Sequence, residues 1–296
     1  MSQWDRAKRS LTNALRLFKE EGIDPQTNLE AEVYHFLSLC AFYGDQDYEQ
    51  AIEQVDIALA AFQEGGDLAH LPGQMLYDKA NYFFHLERYA PAYKYVAEAQ
   101  KACEQTGDIR MLILSYNLEG FVFKRQRMHD RAIRCFRKAI RMSEAYHPDW
   151  QLASILYLNL GDTYYRQQKY DKSLHAYDIV NELCPRTKDD NVRATLYISY
   201  GEVFYKQQEY EKAAEYVNRA TNFAKKIRLT SEYLQLLILK ANIALETDSA
   251  EVEELCREGI DLADKRMLPD KKKEFLFIMA KWKVAKVTGA PLIEVQ

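Results

Sequence analysis

The chain has 296 residues, 48% of them apolar, with 11 Gly, 7 Pro and a net charge of −4. That balance describes a folded chain and excludes disordered or collagen-like classes, while the near-neutral charge argues against direct nucleic-acid binding. No apolar run reaches the roughly 20 residues that a membrane helix needs and the opening MSQWDRAKRS has no secretory apolar stretch, so a cytoplasmic protein without membrane contact is expected.

Residues 4–20, opening on Trp4-Asp5-Arg6-Ala7, read as one helix. It looks like the second half of a helix hairpin without its first half, and residues 1–27 are taken as a cap or as a link to an upstream domain. After it one motif recurs: an aromatic residue, two polar residues, a small residue, then helix. It stands at Tyr48-Glu49-Gln50-Ala51, Tyr89-Ala90-Pro91-Ala92, Tyr170-Asp171-Lys172-Ser173 and Tyr210-Glu211-Lys212-Ala213, with a fainter copy at His129-Asp130-Arg131-Ala132. Between the copies lie Ala80, Gly120, Gly161, Gly201 and Ala241, spaced by 40 or 41 residues. A fixed period of that size signals a repeat array, in which no single repeat can bury its apolar face alone.

Six helix hairpins follow, at 28–66, 67–107, 108–148, 149–188, 189–228 and 229–264. Gly161 and Gly201 are expected where the two helices of a hairpin touch, because a side chain there would hold them apart. Pro185 is expected to end its helix. Gly65-Gly66-Asp67, Gly107-Asp108, His147-Pro148-Asp149 and Asp189-Asp190-Asn191 carry stop-and-start chemistry between hairpins. No strand pattern occurs. Residues 265–296 form a basic tail, in which Phe275, Ile278, Met279, Trp282, Ala285 and Lys286 make an amphipathic capping helix.

Charge is unevenly placed. Residues 20–70 hold twelve acids and no Lys or Arg, whereas Arg127, Arg131, Arg134, Lys138 and Arg141 form a basic stripe on one second helix. Opposite blocks on one chain predict a salt-sensitive homodimer. The single cysteines Cys40, Cys103, Cys135, Cys184 and Cys256 form no CxxC pair and read as reduced core residues.

The frame Tyr157, Leu160, Gly161, Tyr164, Ser173, Tyr177, Val180 and Pro185 resembles the tetratricopeptide repeat. The resemblance extends over nearly the whole chain and implies an all-α, right-handed superhelical solenoid of about fourteen helices. Within that superfamily the 40-residue, Tyr-rich repeats look like those of the Gram-positive peptide-pheromone receptors, the RRNPP regulators of Rap, NprR and PlcR type. That resemblance implies a regulator whose concave face takes up a short peptide and signals to an effector. Such regulators carry an N-terminal helix-turn-helix or, in Rap proteins, a helical bundle. Neither is recognisable before Asn28, so an effector supplied elsewhere is implied, and Rap phosphatase activity is not carried over.

Family peptides are typically held by first-helix asparagines, and an amide offers the donor and acceptor that a peptide unit needs. Asn81, Asn117, Asn159 and Asn242 stand at plus one, minus three, minus two and plus one from the small residue of their repeats. Tyr77, Phe84, His85, Phe121, Lys124, Arg125, Asp162, Tyr165, Arg166, Glu202, Tyr205 and Lys206 supply the rest of the expected lining. The rival reading is a constitutive protein–protein adaptor with no small ligand. No phosphate-binding loop, dinucleotide fingerprint, zinc-protease or hydrolase motif occurs, and the six histidines lie singly. No enzyme, cofactor or metal site is expected.

Overall fold

The computed structural model describes residues 3–146, 149–187, 189–227 and 230–288. Among them are fourteen α-helices and no strand. The chain divides into two compact units, Met1–Asp149 and Trp150–Gln296. The first holds α1 (Gln3–Glu21), α2 (Leu29–Cys40), α3 (Tyr48–Ala61), α4 (Leu71–His85), α5 (Tyr89–Thr106), α6 (Ile109–Arg125) and α7 (His129–Tyr146). The second holds α8 (Trp150–Arg166), α9 (Tyr170–Thr187), α10 (Asp190–Lys206), α11 (Tyr210–Ile227), α12 (Thr230–Glu246), α13 (Val252–Lys265) and α14 (Pro269–Thr288). No helix of the described residues is long and apolar enough to cross a membrane.

In each unit even-numbered first helices alternate with odd-numbered second helices, and every helix packs chiefly on its chain neighbours. The core is accordingly a string of local clusters. Ala31, Ala51, Val55, Met75 and Tyr82 join α2, α3 and α4. Leu158, Tyr177, Val180, Leu196 and Val203 join α8, α9 and α10. Leu237, Ala241, Cys256, Phe275 and Trp282 close α12, α13 and α14. The hairpin contact is as tight as expected: a Cβ on Gly161 would stand 2.3 Å from the Tyr177 ring, and one on Gly201 would stand 2.7 Å from Val217. Ser173 reinforces the first of these by donating its hydroxyl to the Gly161 carbonyl at 2.8 Å.

The turn inside each hairpin uses chemistry that the sequence reading missed. Glu87, Arg127, Gln168, Gln208 and Asp248 all have φ between 52° and 62°. The residue after each donates its N–H back to the last turn of the first helix, as Met128 does to Phe123 O and Lys169 to Tyr164 O, both at 2.9 Å. This is the left-handed helix stop usually given to glycine. Non-glycine residues hold it here at a cost of about 1 kcal/mol each, offset by the hairpin packing on either side.

Between hairpins some signals hold and others shift. Gly107 ends α5 at φ 72°, and the Asp108 carboxylate accepts from Met111 N at 3.0 Å. Asp189 caps α10 in the same manner. Gly65 ends no helix, because α3 stops at Ala61, and Asp67 caps none, because α4 starts at Leu71 with His70 at its cap position; the Asp67 N–H donates to Gln26 O at 2.8 Å. That loop is pinned by Asn28, only 2% exposed, whose side chain bonds Gln63 N, Gln63 O and Asp67 O. Pro185 lies inside α9 and does not end it: the helix runs on to Thr187. A proline near a C-terminus forfeits one backbone bond without blocking the last residues. His147 and Pro148 lie outside the described residues.

Four cysteines are buried, Cys135 is half-buried, and all five are free thiols. Burial pushes Cys103 up to about 11 and, with Glu119 beside it, Cys135 up to about 12. They act as small core residues.

Substituting Gly161→Leu puts a branched side chain into the Tyr177 ring. Overpacking of this kind costs about 1–3 kcal/mol and more where the backbone must part. Urea unfolding monitored by circular dichroism should show a midpoint lowered accordingly, and an unchanged midpoint would remove the helix contact from the account.

Candidate functional site

The side chains at corresponding positions of successive first helices form rows. The first row, one residue past the small residue, reads Asn81 and Phe121 in the N-terminal unit and Asp162, Glu202 and Asn242 in the C-terminal unit. A second row, four and five residues past it, pairs an aromatic residue with a charge in α8 and α10: Tyr165 with Arg166, then Tyr205 with Lys206. A residue on the first row sits one helical turn from its partner on the second.

In the N-terminal unit the expected residues gather around rings. Phe84 and Phe121 lie 6.2 Å apart between centroids, and the Lys124 ammonium stands 4.6 Å from the Phe121 ring centre. His85 contacts Phe42, Tyr48 and Phe84. More than a third of its surface is open, yet those rings desolvate it, and with the Arg125 charge nearby its imidazole is held below the usual range. Tyr77 is tucked beside Ala80, Val96 and Leu118, and burial, with Asp78 next to it, raises its phenol. Asn81 is half-buried, whereas Asn117 is only 9% exposed and not the open position expected of it. At minus three it turns toward the packed side of α6, between Tyr116 and Leu118, themselves buried.

The C-terminal unit gathers the charged members. Arg166 Nε donates to Asp162 Oδ2 at 3.2 Å. Glu202 is half-buried, and burial is the main cause that pushes its carboxyl up to about 7. The Asp162 carboxylate adds to the rise, while Arg166, Lys206 and Lys271 oppose it. Two carboxylates on successive first helices thus influence each other electrostatically, Asp162 bonded to Arg166 and Glu202 without a hydrogen-bonded cation. Tyr165, desolvated and close to Glu202, has its phenol raised, and Tyr205 is pushed up to about 12 by burial and by Glu246. Tyr165 and Tyr205 lie 6.1 and 5.8 Å from the rings of Tyr170 and Tyr210. Asn159 is half-buried, and Asn242 donates its amide to the Ile238 carbonyl of its own helix at 3.0 Å.

Two groups escaped the sequence reading. Glu246 occupies on α12 the second-row position of Arg166 and Lys206, so the period itself could have found it. In the N-terminal unit, buried His35 bonds Asp78 at 2.7 Å, with Ser38 and Tyr82 hydrogen-bonded beside it. Asp78 shares the minus-two offset of Asn159, but no motif marks His35.

Part of each charge block has a partner within its own unit. Asp45 is bound by Lys8 at 2.8 Å, Glu49 by Arg88 at 2.5 Å, and Asp56 by the buried Lys79. Cations from other helices of the unit therefore pair with three of the twelve acids of that block. From the basic stripe, Lys138 donates to the Tyr116 hydroxyl and Arg131 covers the Phe123 ring at 5.5 Å. Among the described residues no group of three or more His, Cys, Asp or Glu is placed to hold a metal.

Two tetratricopeptide repeat models match the chain, one over residues 113–146 and one over 151–226. The chain contains tetratricopeptide repeats. Solved structures share this tetratricopeptide fold at low identity. Aspartyl phosphate phosphatase F from Bacillus subtilis has a TM-score of 0.72 at 16% identity, over 94% of this chain and 71% of that one. A signal transduction ATPase with numerous domains from Pyrococcus horikoshii, with a tetratricopeptide repeat sensor, scores 0.71 at 17% identity over 88% of this chain. The match spans only 39% of that protein's length. The quorum sensor NprR from B. thuringiensis, in its apo form, scores 0.68 at 16% identity over 95% of this chain and 80% of that one. NprR in complex with its cognate peptide NprX scores 0.62, again at 16%, over 95% and 84%. At such identities the likeness is one of fold. Among curated proteins there is no significant match.

The raised Glu202 carboxyl carries a stability consequence. Its folded value, about 7, lies above the ordinary 4.5. The protonated form is therefore favoured by folding, and that contribution is complete below about pH 4.5 and lost as pH rises through 7. Glu202→Gln should raise unfolding free energy at pH 8 by on the order of 1–3 kcal/mol while changing little at pH 5. Equal effects at both pH values would show that Glu202 titrates normally.

Proposed function

We propose that this chain is a cytoplasmic, non-catalytic regulator that binds a short peptide along its first-helix rows and passes the occupancy to an effector. The observation that carries the proposal is the half-buried Glu202 on α10, whose protonated form is favoured by burial and by the Asp162 carboxylate on the preceding first helix, with Tyr165 close to it. A cationic peptide side chain placed between the two carboxylates would neutralise both, because an opposite charge favours the ionised form of each. The aromatic rows suit apolar side chains, and the half-buried amides of Asn81 and Asn159 suit backbone units. Asn242 would have to exchange its intrahelical bond for one to the peptide. Support also comes from fold: NprR, which shares it, is known in complex with a cognate peptide.

Signalling on this reading follows from differential affinity. A peptide bridging successive first helices binds one spacing of those helices better than another and shifts the population toward it. No chemistry on the peptide is required.

Isothermal titration with short synthetic peptides that carry one Arg or Lys tests the reading. Affinity should rise by up to about tenfold from pH 6 to pH 8 as the Glu202 carboxyl, about 7 in the free protein, gives up its proton. Glu202→Gln should flatten that dependence, and alanine at Asn81 or Asn159 should cost about 1–3 kcal/mol. Binding that ignores peptide charge, pH and all of these substitutions would leave the adaptor reading in possession.

A further inference from the structure

Two second helices carry opposite charge in the same places. Buried residues run through α7 as Ala132, Phe136, Ala139 and Ser143, and through α13 as Val252, Cys256, Gly259 and Ala263. The spacing of the two sets is identical, so the helices align residue for residue. The alignment puts Arg131, Arg134, Lys138 and Arg141 in register with Glu251, Glu254, Glu258 and Asp261. All eight side chains are exposed. Steps of three, four and three residues keep each set on one helix face, as a stripe about 15 Å long. The surrounding charge has the same sign as the stripe: α7 holds five cations against two acids, and α13 five acids against two cations.

The other second helices differ. In α5 the same four positions hold Pro91, Lys94, Glu98 and Lys101, and in α11 they hold Lys212, Glu215, Arg219 and Asn222. There the middle two have opposite signs four residues apart, and they pair: Lys94 with Glu98 at 3.8 Å, Glu215 with Arg219 at 2.6 Å. In α7 and α13 the middle two have like signs, Arg134 with Lys138 and Glu254 with Glu258. Like charges at that spacing destabilise a helix. Among the described residues none of the eight forms a salt bridge within the chain. Arg131, Lys138 and Glu258 touch neutral groups, the Phe123 ring, the Tyr116 hydroxyl and the Tyr233 hydroxyl. Two further acids of α13 are already taken, Glu253 by Arg257 and Asp264 by Lys272, and lie outside the stripe.

We propose that the chain self-associates by laying the α7 stripe of one copy along the α13 stripe of a second. Each copy carries both stripes, so a second copy meets either one with its complement. The three-four-three spacing reads the same in both directions, and in either direction Arg134 and Lys138 come to Glu254 and Glu258. The contact relieves the like-charge repulsion inside both helices. Three of its four cations are arginines, whose planar forks fit carboxylates. Exposed ion pairs are individually weak, so the association is weak and is set by salt and concentration.

Sedimentation velocity on the full chain tests it. At about 0.01 M salt, where charges act over roughly 30 Å, the wild-type sedimentation coefficient should rise with protein concentration toward about 100 μM. At about 0.15 M salt, where that reach falls to roughly 8 Å, the rise should shrink. The double variants Arg134→Glu/Lys138→Glu and Glu254→Lys/Glu258→Lys should each lose the rise, because each brings like charges to the middle of every contact. An equimolar mixture of the two should regain it, because each variant then meets the opposite sign along both stripes. Both variants keep a like-charge pair inside the altered helix, so wild-type circular dichroism melts are expected. Arg134→Gln/Lys138→Gln, which removes that repulsion, should lose the rise as well and stands in where a reversal melts early. A wild-type chain that stays monomeric at low salt, variants that associate as the wild type does, or folded reversal variants whose mixture stays monomeric would each overturn the proposal.

Discussion

Everything in this molecule hangs on a close approach of two helices at one point per hairpin. At Gly120, Gly161 and Gly201 a Cβ would stand within 2.7 Å of the facing Phe136, Tyr177 or Val217 side chain. The small residue lets a large one lie flat across the first helix, and burial of that large side chain, at roughly 25 cal/mol per Å², is what stabilises the hairpin. The same point sets the rotation of the first helix about its axis. Once Gly161 faces Tyr177, Asp162, one position on and about 100° round the helix, faces elsewhere, whereas Tyr165, one turn on, stays beside the core cluster that holds Tyr177. The plus-one row is therefore a by-product of hairpin packing, repeated at the period of the packing.

This explains what could be read from the sequence and what could not. The period, the hairpin order, the helix at each end and the contacts at Gly161 and Gly201 depend on residue size at fixed spacing, which a sequence displays directly. The left-handed residues at Arg127, Gln168 and Gln208 do not announce themselves, because nothing but the surrounding packing forces a non-glycine residue into that conformation. Asn28 gave no signal for a related reason: its partners, Gln63 and Asp67, are distant in the chain. Among the expected binding residues, the plus-one and plus-four rows follow the repeat. Asn117 stands out because an offset of minus three turns it toward the packed side, and Asn242 because an amide on a helix can satisfy itself on the preceding turn.

Electrostatics separates the two units. The N-terminal one presents rings and cations, with Lys124 over Phe121 and Arg125 near His85. The C-terminal one presents tyrosines and a carboxylate pair whose charge is incompletely met. Local pairing takes up part of the acidic block, as Lys8 with Asp45 and Arg88 with Glu49 show.

The central claim, that first helices and not second helices hold a peptide, is tested most directly by hydrogen–deuterium exchange. The chain would be measured alone and saturated with a peptide selected from a random library of short sequences. The account predicts slowed exchange in α8, α10 and α12 around Asp162, Glu202 and Asn242, with α9 and α11 unchanged. Protection confined to the second helices, or a selection that enriches no binding peptide, would contradict it.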